Sequence, residues 1–311
     1  MRILIVGAGA AGGYFGGRLW QHGRDVTFLV RGERMQHLAQ HGLAIRSATG
    51  NVDLPSPPVL QAGALREPFD LIVLGCKAYG LAQAMSDIAP AVGAHTAILP
   101  LLNGMRQLEL LDERFGATHV LGGQCIISAT LDAQGAVQHL NQMHSITFGE
   151  RDGRTSPRMQ QIIEAFDGAG FDSRPSSHVL QDMWDKWLFL ASLAGITCLM
   201  RGSVGEIAAA PGGAAAALAL LDECRDVATR CGHAPDERLL VRARSTLTEA
   251  GSVLAASMLR DLQHGHPIEA DHIIGDMLAR ARRQHLAVPL LAIVYTNLMV
   301  YEARRLANLA G

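Results

Sequence analysis

The sequence of 311 residues has little of several features that place a chain in a functional class. Aromatic residues make up only 5%, so a surface that stacks nucleic-acid bases on aromatic rings is not expected. The formal net charge is −2, which excludes the strongly basic field that attracts nucleic acid or anionic lipid. Hydrophobic residues reach 49% and charged residues only 18%, and this balance excludes disorder for most of the chain.

Cysteines and long apolar runs are also scarce. The five cysteines are an odd, scattered set without a CxxC pair, which argues against a disulfide framework and for a reducing compartment. The longest strongly apolar run, 187–200, is shorter than the roughly 20 residues that a membrane helix needs. The few apolar residues after Met1 end at a glycine and do not form a signal peptide. We therefore expect a cytoplasmic protein.

The chain is long enough for two domains, and its structural pattern changes part-way along. Short apolar segments alternate with helical segments up to about Ser176, beginning with a strand at Ile3–Val6 and a helix at Ala10–Gln21. Beyond that point, only helical patterns are predicted. We predict an α/β fold, with an N-terminal Rossmann-type doubly wound sheet in residues 1–176 and an all-helical C-terminal domain in residues 177–311.

Glycine is abundant, and its most specific pattern lies near the start of the chain. The pattern fits G-x-G-x-x-G, follows a predicted buried strand and opens a predicted helix. Its positions are Gly7, Ala8, Gly9, Ala10, Ala11 and Gly12. Gly7 permits the tight turn, Gly9 lets the backbone approach a pyrophosphate, and Gly12 allows close packing of helix on strand. The helix N-terminus then binds the anion. This context favours a dinucleotide site over a plain tight turn.

The end of the second predicted strand indicates which dinucleotide binds. An NAD site usually has Asp or Glu there, which binds the ribose 2′-hydroxyl. This chain has Arg31 instead, with Arg34 nearby, and a guanidinium suits a 2′-phosphate. Two alternatives stay open, because Arg31 could be a solvated loop residue and Glu33 could reach a 2′-hydroxyl. The pattern favours NADP over NAD.

Further short motifs follow in a fixed order along the chain. They are Arg31, Cys76-Lys77-Ala78-Tyr79, Leu101-Leu102-Asn103-Gly104-Met105, Asp185-Lys186-Trp187, and Ser257-Met258-Leu259 with Glu269 beyond. Together with the glycine motif, their order and spacing resemble the ketopantoate reductase (2-dehydropantoate 2-reductase) family nearly end to end. The resemblance implies an active site in a cleft between a Rossmann domain and a helical domain. It also implies NADPH-dependent reduction of a 2-oxo acid to a 2-hydroxy acid, the step that supplies pantoate for coenzyme A synthesis.

The resemblance further implies the roles of individual residues. Lys186 matches the catalytic lysine, and a lysine whose pKa is lowered by burial suits the protonation of the alkoxide that hydride addition leaves. Glu269 is implied to contact this lysine or the substrate hydroxyl, and Ser257 the substrate carboxylate. Asn103 is implied to contact both cofactor and substrate. Lys77 is expected to reach the cofactor or the substrate carboxylate.

Each of these residues also has a purely structural interpretation. Lys186 could extend into solvent from a helix end, Glu269 could favour a helix dipole, and Asn103 belongs to an Asn-Gly pair, a strong turn signal. Ser257 could be an ordinary helix serine. It stands out of phase with Glu269 on an unbroken helix, so a break at 265–267 is needed if both are to meet one substrate.

The chain departs from the family pattern near the lysine. The family usually has asparagines four and eight residues after it, where this chain has Leu190 and Ala194, and Gly80 replaces a family glutamine. Ser192 and Thr197 are the polar side chains that remain close by. A site without hydrogen bonds to a substrate hydroxyl discriminates poorly in its favour. The alternative function is therefore a divergent member that reduces a more apolar 2-oxo or β-hydroxy/oxo acid.

Two alternatives lie outside this family. The β-hydroxyacid dehydrogenases also join a Rossmann domain to a helical domain, although Leu190 counts against them. An NADP-binding sensor without turnover is the third reading, and the joint presence of Lys186, Ser257 and Glu269 argues against it.

No metal, nucleic acid or membrane is predicted as a partner. His264, His266 and His272 lie near one another but lack the spacing of a metal-ligand set. The expected partner is a small-molecule 2-oxo acid. The alanine-rich segment 208–221 suggests close helix packing, which suits a homodimer.

Overall fold

The computed structural model describes residues 1–310, with side chains through residue 308. The chain forms two compact units. The first unit consists of residues 1–102 and 107–180, and the second of residues 103–106 together with the chain from 181 onward. The short segment 103–106 therefore packs with the second unit although it directly follows a strand region of the first.

The first unit contains all the strands that the structure describes and five α-helices. The strands are β1 (Arg2–Val6), β2 (Asp25–Leu29), β3 (Leu43–Arg46), β4 (Val52–Leu54), β5 (Val59–Leu60), β6 (Leu71–Leu74), β7 (Ala97–Pro100), β8 (Gly122–Leu131), β9 (Val137–Gly149) and β10 (Asp172–Pro175). The helices are α1 (Ala10–Gln21), α2 (Gly32–His41), α3 (Leu81–Ile88), α4 (Arg106–Phe115) and α5 (Pro157–Phe166).

A parallel sheet with the strand order β5-β2-β1-β6-β7 forms the centre of this unit. Ile3–Val6 and Leu71–Leu74 are buried, which explains why both strands are continuous apolar runs. The strand order reverses between β1 and β6, and ligands of open α/β sheets bind at such a switch point. The predicted Rossmann-type α/β fold is confirmed.

A second sheet in the same unit differs from the prediction. The sequence pattern indicates four short strand-like pieces between 120 and 149, and the structure joins them into the long antiparallel pair β8 and β9, beside β10, β3 and β4. Helix α1 packs against both sheets. A Cβ on Gly16 would lie 2.6 Å from Phe28 Cε1, and one on Gly17 would lie 2.9 Å from Ile45 Cδ1. The small face of α1 therefore lets the two sheets share one core.

The second unit is helical. Its helices are α6 (Val179–Met200), α7 (Val204–Ala209), α8 (Gly213–Arg230), α9 (Glu237–Leu247), α10 (Ser257–Gln263), α11 (Asp276–Arg283) and α12 (Pro289–Ala310). No strand occurs between residues 177 and 310. None of the helices within the described part of the chain combines the length and the hydropathy that a membrane crossing requires.

One predicted helix is irregular in the structure. The sequence periodicity predicts a single helix over 267–285, whereas the observed helical stretch begins at Ala270 and its first turn, Asp271–Gly275, is π-helical. Trp187 Nε1 donates a hydrogen bond to the carbonyl oxygen of Ile273 at 3.0 Å. A side-chain donor at a backbone carbonyl is a known cause of local helix distortion, and π-turns are frequent at functional sites.

Candidate functional site

The turn between β1 and α1 has the geometry that its glycines predict. Gly7 has a φ of +90°, which a side chain would strain. A Cβ on Gly12 would overlap the carbonyl oxygen of Gly7, so the helix can approach the turn this closely only without a side chain. A Cβ on Gly9 would meet no atom within 4 Å, so this position opens into free space.

The N-terminus of α1 carries features of an anion site. Gly9 is the N-cap residue and provides no side-chain hydrogen bond to the first turn, which also contains no acidic residue. The first backbone N–H groups of a helix lack partners within the helix and carry partial positive charge. A phosphate at this end would satisfy them.

A cavity of about 260 Å³ adjoins this turn. It is lined by the glycine turn, by the ends of β1 and β2, and by residues that follow β6. Of the residues predicted to bind the cofactor, it brings together Gly7, Ala8, Gly9 and Arg31. Gly80, where the family has a glutamine, also lines it.

Two arginines line the cavity, and each has a protein acceptor. Arg31 donates from Nε and Nη2 to Oδ2 of Asp87, at 3.0 and 2.7 Å. Arg34 donates from Nε to the carbonyl oxygen of Ala8 at 2.8 Å and from Nη1 to that of Gly135 at 2.8 Å. Burial lowers the pKa of Arg34, and its Nη2 atom is buried without a hydrogen-bond partner. Arg34 therefore ties α2 to the glycine turn.

These residues fit a nicotinamide dinucleotide. The open space at Gly9 would admit a ligand close to the backbone. The uncapped first turn of α1 offers N–H donors to a pyrophosphate. The unpaired Nη2 atom of Arg34 adds a buried cationic donor beside the turn.

Lys77 follows the parallel strand β6 in the sequence. Its side chain is exposed, and with extended backbone it caps the short 3-10 turn Ala78–Gly80. Polar residues after parallel strands face the ligand crevice. Lys77 is not among the residues that line the cavity described above.

In the second unit, Lys186 is half-buried on α6, and two buried tryptophans, Trp184 and Trp187, are close to it in the sequence. Arg280 places its Cζ atom 5.5 Å from the ring centroids of both Trp184 and Trp187. The same guanidinium donates from Nε to Oδ2 of Asp276 at 3.0 Å. The helix that carries Lys186 is therefore fixed by aromatic packing, a cation–π contact and the indole bond from Trp187 to the π-turn.

His272 lies against the turn that follows Asn103, where a Cβ on Gly104 would be 3.3 Å from its Cδ2 atom. The His272 imidazole forms a hydrogen bond with the Asn103 backbone and feels the charge of Glu269. Glu269 is 8% exposed and His272 is 6% exposed. Burial lowers the pKa of His272, although Glu269 and Asp276 oppose this shift. Gly104, with a φ of +87°, forms the turn that the Asn-Gly pair predicts.

Ser257 is exposed at the first position of α10. That helix ends at Gln263, and residues 264–269 are non-helical, so the break that the sequence requires between Ser257 and Glu269 is present. Glu269 lies directly before the helical stretch rather than within its first turn, where the sequence pattern puts it. The structure shows to which element Lys77, Lys186 and Ser257 each belong and how exposed each residue is.

Sequence reasoning missed Asp87, and it named His272 and Trp187 without the contacts that they make. Asp87 pairs with Arg31, His272 links Asn103 to Glu269, and Trp187 bonds to the π-turn. A signal existed for His272, which lies one helical turn after Glu269. No nearby sequence pattern points to Asp87, because its partner Arg31 follows a different strand, β2. No group of three His, Cys, Asp or Glu among the described residues is placed to hold a metal.

Comparison with known families covers most of the chain. The family model described as "Ketopantoate reductase PanE/ApbA" matches residues 3–153, and "Ketopantoate reductase PanE/ApbA C terminal" matches residues 178–302. The chain belongs to the ketopantoate reductase family. Ketopantoate reductases are oxidoreductases that act on small-molecule 2-oxo acids with a nicotinamide cofactor.

Individual relatives cover the chain nearly completely. "Uncharacterized oxidoreductase YkpB" of Bacillus subtilis is 39% identical over 305 residues, which cover 98% of this chain and 100% of the relative. The structure of 2-dehydropantoate 2-reductase from Geobacter metallireducens is similar at 28% identity, with a TM-score of 0.87 over 96% of this chain and 99% of that one.

A further structural neighbour shares the fold. D-mandelate dehydrogenase, solved with NADH and anilino(oxo)acetate, has a TM-score of 0.87 over 98% of this chain and 99% of that chain. Its sequence identity is 20%, so the likeness extends to the fold only.

Proposed function

We propose that this protein reduces a 2-oxo acid to a 2-hydroxy acid with NADPH, the reference reaction being ketopantoate to pantoate in pantothenate biosynthesis. The observation that carries the proposal is the glycine turn, whose uncapped helix end and open Gly9 position adjoin a cavity lined by Arg31. Residues 1–176 would form the NADP-binding domain, and residues 177–311 the domain for substrate and dimerisation.

The cofactor would be held by the glycine motif, Arg31, Lys77 and Asn103. When bound, NADPH supplies the hydride. Arg31 at the end of β2 favours the 2′-phosphate, since a guanidinium forms charge-assisted hydrogen bonds with phosphate oxygens. NADP is therefore proposed over NAD.

Lys186 would act as the general acid. Addition of hydride leaves negative charge on the former carbonyl oxygen, and the ammonium of Lys186 would hold the proton that neutralises it. Its place on α6, a helix with many buried residues, limits the range of positions that the ammonium group can take. Glu269, itself buried, would contact Lys186 or the hydroxyl that forms.

The substrate carboxylate would be bound by Ser257 and Lys77, and the reacting group by Asn103. Ser257 stands at the first position of α10, where the helix N-terminus also favours a carboxylate. Asn103 is held by its turn and by the hydrogen bond between its backbone and His272.

A second candidate is a more apolar 2-oxo acid, and one observation favours it. Ser192 and Thr197 remain as polar side chains where the family has asparagines nearby, and both donate to carbonyls of their own helix, at 2.8 and 2.7 Å. Leu190 and Ala194 offer no hydrogen bond. A substrate hydroxyl would therefore find fewer donors along this stretch of α6.

We also propose a cytoplasmic location and a homodimer. No disulfide bond joins the five cysteines, all of which lie within the described residues, and this suits a reducing compartment. The alanine-rich helix α8 supports close packing of a second copy.

The experiment that tests the proposal is the oxidation of NADPH, followed by nicotinamide absorbance, with ketopantoate and a panel of branched and unbranched 2-oxo acids. Activity on ketopantoate that Lys186→Ala abolishes supports the proposed reaction. Activity on other 2-oxo acids alone supports the second candidate. Silence on every substrate, with NADPH still bound, would refute turnover and leave the sensor reading.

A further inference from the structure

The ion pair between Arg31 and Asp87 lies in the wall of the cofactor cavity. Both side chains line the cavity together with the glycine turn. Two guanidinium nitrogens of Arg31 donate to the same Asp87 oxygen, at 3.0 and 2.7 Å. The Asp87 side chain is only 11% exposed, whereas that of Arg31 is 57% exposed. The carboxylate is therefore the fixed member of the pair, and the guanidinium is the member open to a ligand.

A second contact fixes Asp87 on α3. Its other oxygen accepts a hydrogen bond from Gln83 Nε2 at 2.8 Å, one helical turn earlier. Within the described lining, Asp87 supplies the acidic side chain, and Arg31 and Arg34 supply the basic ones. Arg34 donates from Nε and Nη1 to the carbonyl oxygens of Ala8 and Gly135, and its Nη2 atom has no protein partner. The charge of Arg31 is thus partly neutralised before any ligand arrives.

This arrangement affects the two dinucleotides differently. A phosphate monoester carries about −1.5 to −2 charges at neutral pH, so a 2′-phosphate would be attracted by Arg31 and repelled by Asp87. A 2′-hydroxyl carries no charge, and a carboxylate is its usual acceptor in NAD sites. The Asp87 carboxylate consequently weakens the binding of NADP and does not weaken the binding of NAD.

We propose that Asp87 is a specificity-determining residue that weakens the preference of this cavity for NADP over NAD. The residue does so by pairing with Arg31 and by placing a fixed negative charge beside the cation that would bind a 2′-phosphate. The inference rests on the proposed function, because it presumes that a nicotinamide dinucleotide occupies this cavity.

The test is the dissociation constant of each dinucleotide, NADPH and NADH, measured by quenching of tryptophan fluorescence. Asp87→Asn keeps the shape of the side chain, removes its charge and replaces one of its two acceptor oxygens with an NH2 donor. We expect it to tighten NADPH about tenfold, which corresponds to about 1.4 kcal/mol, and to leave NADH unchanged or weaker. In an Arg31→Ala background, the same substitution should lose most of this gain. Asp87→Ser serves in place of Asp87→Asn if that variant does not fold.

A matched control comes from an ion pair whose residues do not line the cavity. Asp53 accepts from Arg46 Nη2 at 2.7 Å, and Asp53→Asn should change neither constant. An unchanged ratio of the two constants in Asp87→Asn would overturn the inference while leaving the proposed function intact. A wild-type protein that binds neither dinucleotide would overturn both.

Discussion

The two units hold their candidate residues in different ways. In the first unit, Gly7, Gly9 and Gly12 act within one turn, through backbone shape and the absence of side chains. In the second, Asn103 and Glu269 come from distant segments and are linked by the side chain of His272. A site made by local backbone is recognisable from a short motif, whereas a site made by side-chain contacts depends on the packing of a whole helical unit.

The largest effect is expected from a side chain at the closest backbone approach. Gly12→Ala places a Cβ on the carbonyl oxygen of Gly7, which neither group can avoid without moving the helix. We expect a loss of about 3 kcal/mol in the free energy of unfolding, because overpacking against backbone cannot be relieved by a rotamer change. Urea denaturation measures this. A wild-type unfolding midpoint would contradict the assigned geometry.

Gly9→Ala is the matched variant within the same turn. Its Cβ meets no protein atom within 4 Å, and its φ of −79° suits any residue. Stability should fall by no more than about 1 kcal/mol, because Ala is a weaker N-cap than Gly but its methyl group meets no clash here. NADPH affinity should fall at least about tenfold, because the methyl group occupies the space that the ligand needs. Equal losses of stability in Gly9→Ala and Gly12→Ala would contradict the different surroundings of the two glycines.

A smaller effect is expected in the second unit from Trp187→Phe. The substitution removes the N–H group that donates to Ile273 and keeps an aromatic ring. We expect a loss of about 2 kcal/mol in the free energy of unfolding, about 1 from the lost hydrogen bond and the rest from the space that the smaller ring leaves in the core. Trp20→Phe, on the half-buried end of α1, controls for lost ring area in the other unit. Equal stability losses in the two variants would show that the indole bond adds nothing.

The smallest effect is a change in pH dependence through His272. Its folded pKa lies below the ordinary value of 6.5 because burial disfavours the imidazolium. Above pH 6.5 the group is neutral in both states and contributes nothing. Below pH 6.5 the unfolded chain binds the proton first, so the free energy of unfolding falls until the folded pKa is passed. His272→Gln should make this acid-side decline shallower.

The control for the pH experiment is His95→Gln, at an exposed position of the first unit. The free energy of unfolding is obtained by urea denaturation at several pH values on both sides of 6.5. An identical slope in His272→Gln and the wild type would contradict a buried, neutral His272. An identical change of slope in His272→Gln and His95→Gln would show that the burial of His272 does not cause the pH dependence.

In both units, the sequence predicts single helices and strands better than it predicts how the strands pair. The bounds of α1 and the sense of the parallel sheet follow from a buried apolar strand, a glycine turn and helical periodicity, all within about 20 residues. The joining of β8 and β9 into a second sheet depends on pairing across a turn and on the small face of α1. Such pairing has no local signature.

The candidate site divides along the same line. Gly7, Gly9 and Arg31 could be predicted because their chemistry follows from neighbours in sequence. Asp87 could not, because only the fold brings it near Arg31. His272 lies near Glu269 in the sequence, but its contact with Asn103 depends on the fold. The π-turn after Glu269 could not be predicted either, because it involves a hydrogen bond from Trp187, which lies on the distant helix α6.

The most direct test of the central claim compares wild type with Lys186→Ala in two measurements on the same preparation. One is NADPH affinity by fluorescence quenching, and the other is the rate of NADPH oxidation with the best 2-oxo acid of the panel. We predict unchanged affinity and a rate reduced about 10²- to 10⁴-fold, the range for loss of a general acid. A Lys186→Ala variant that turns over at the wild-type rate would contradict the account.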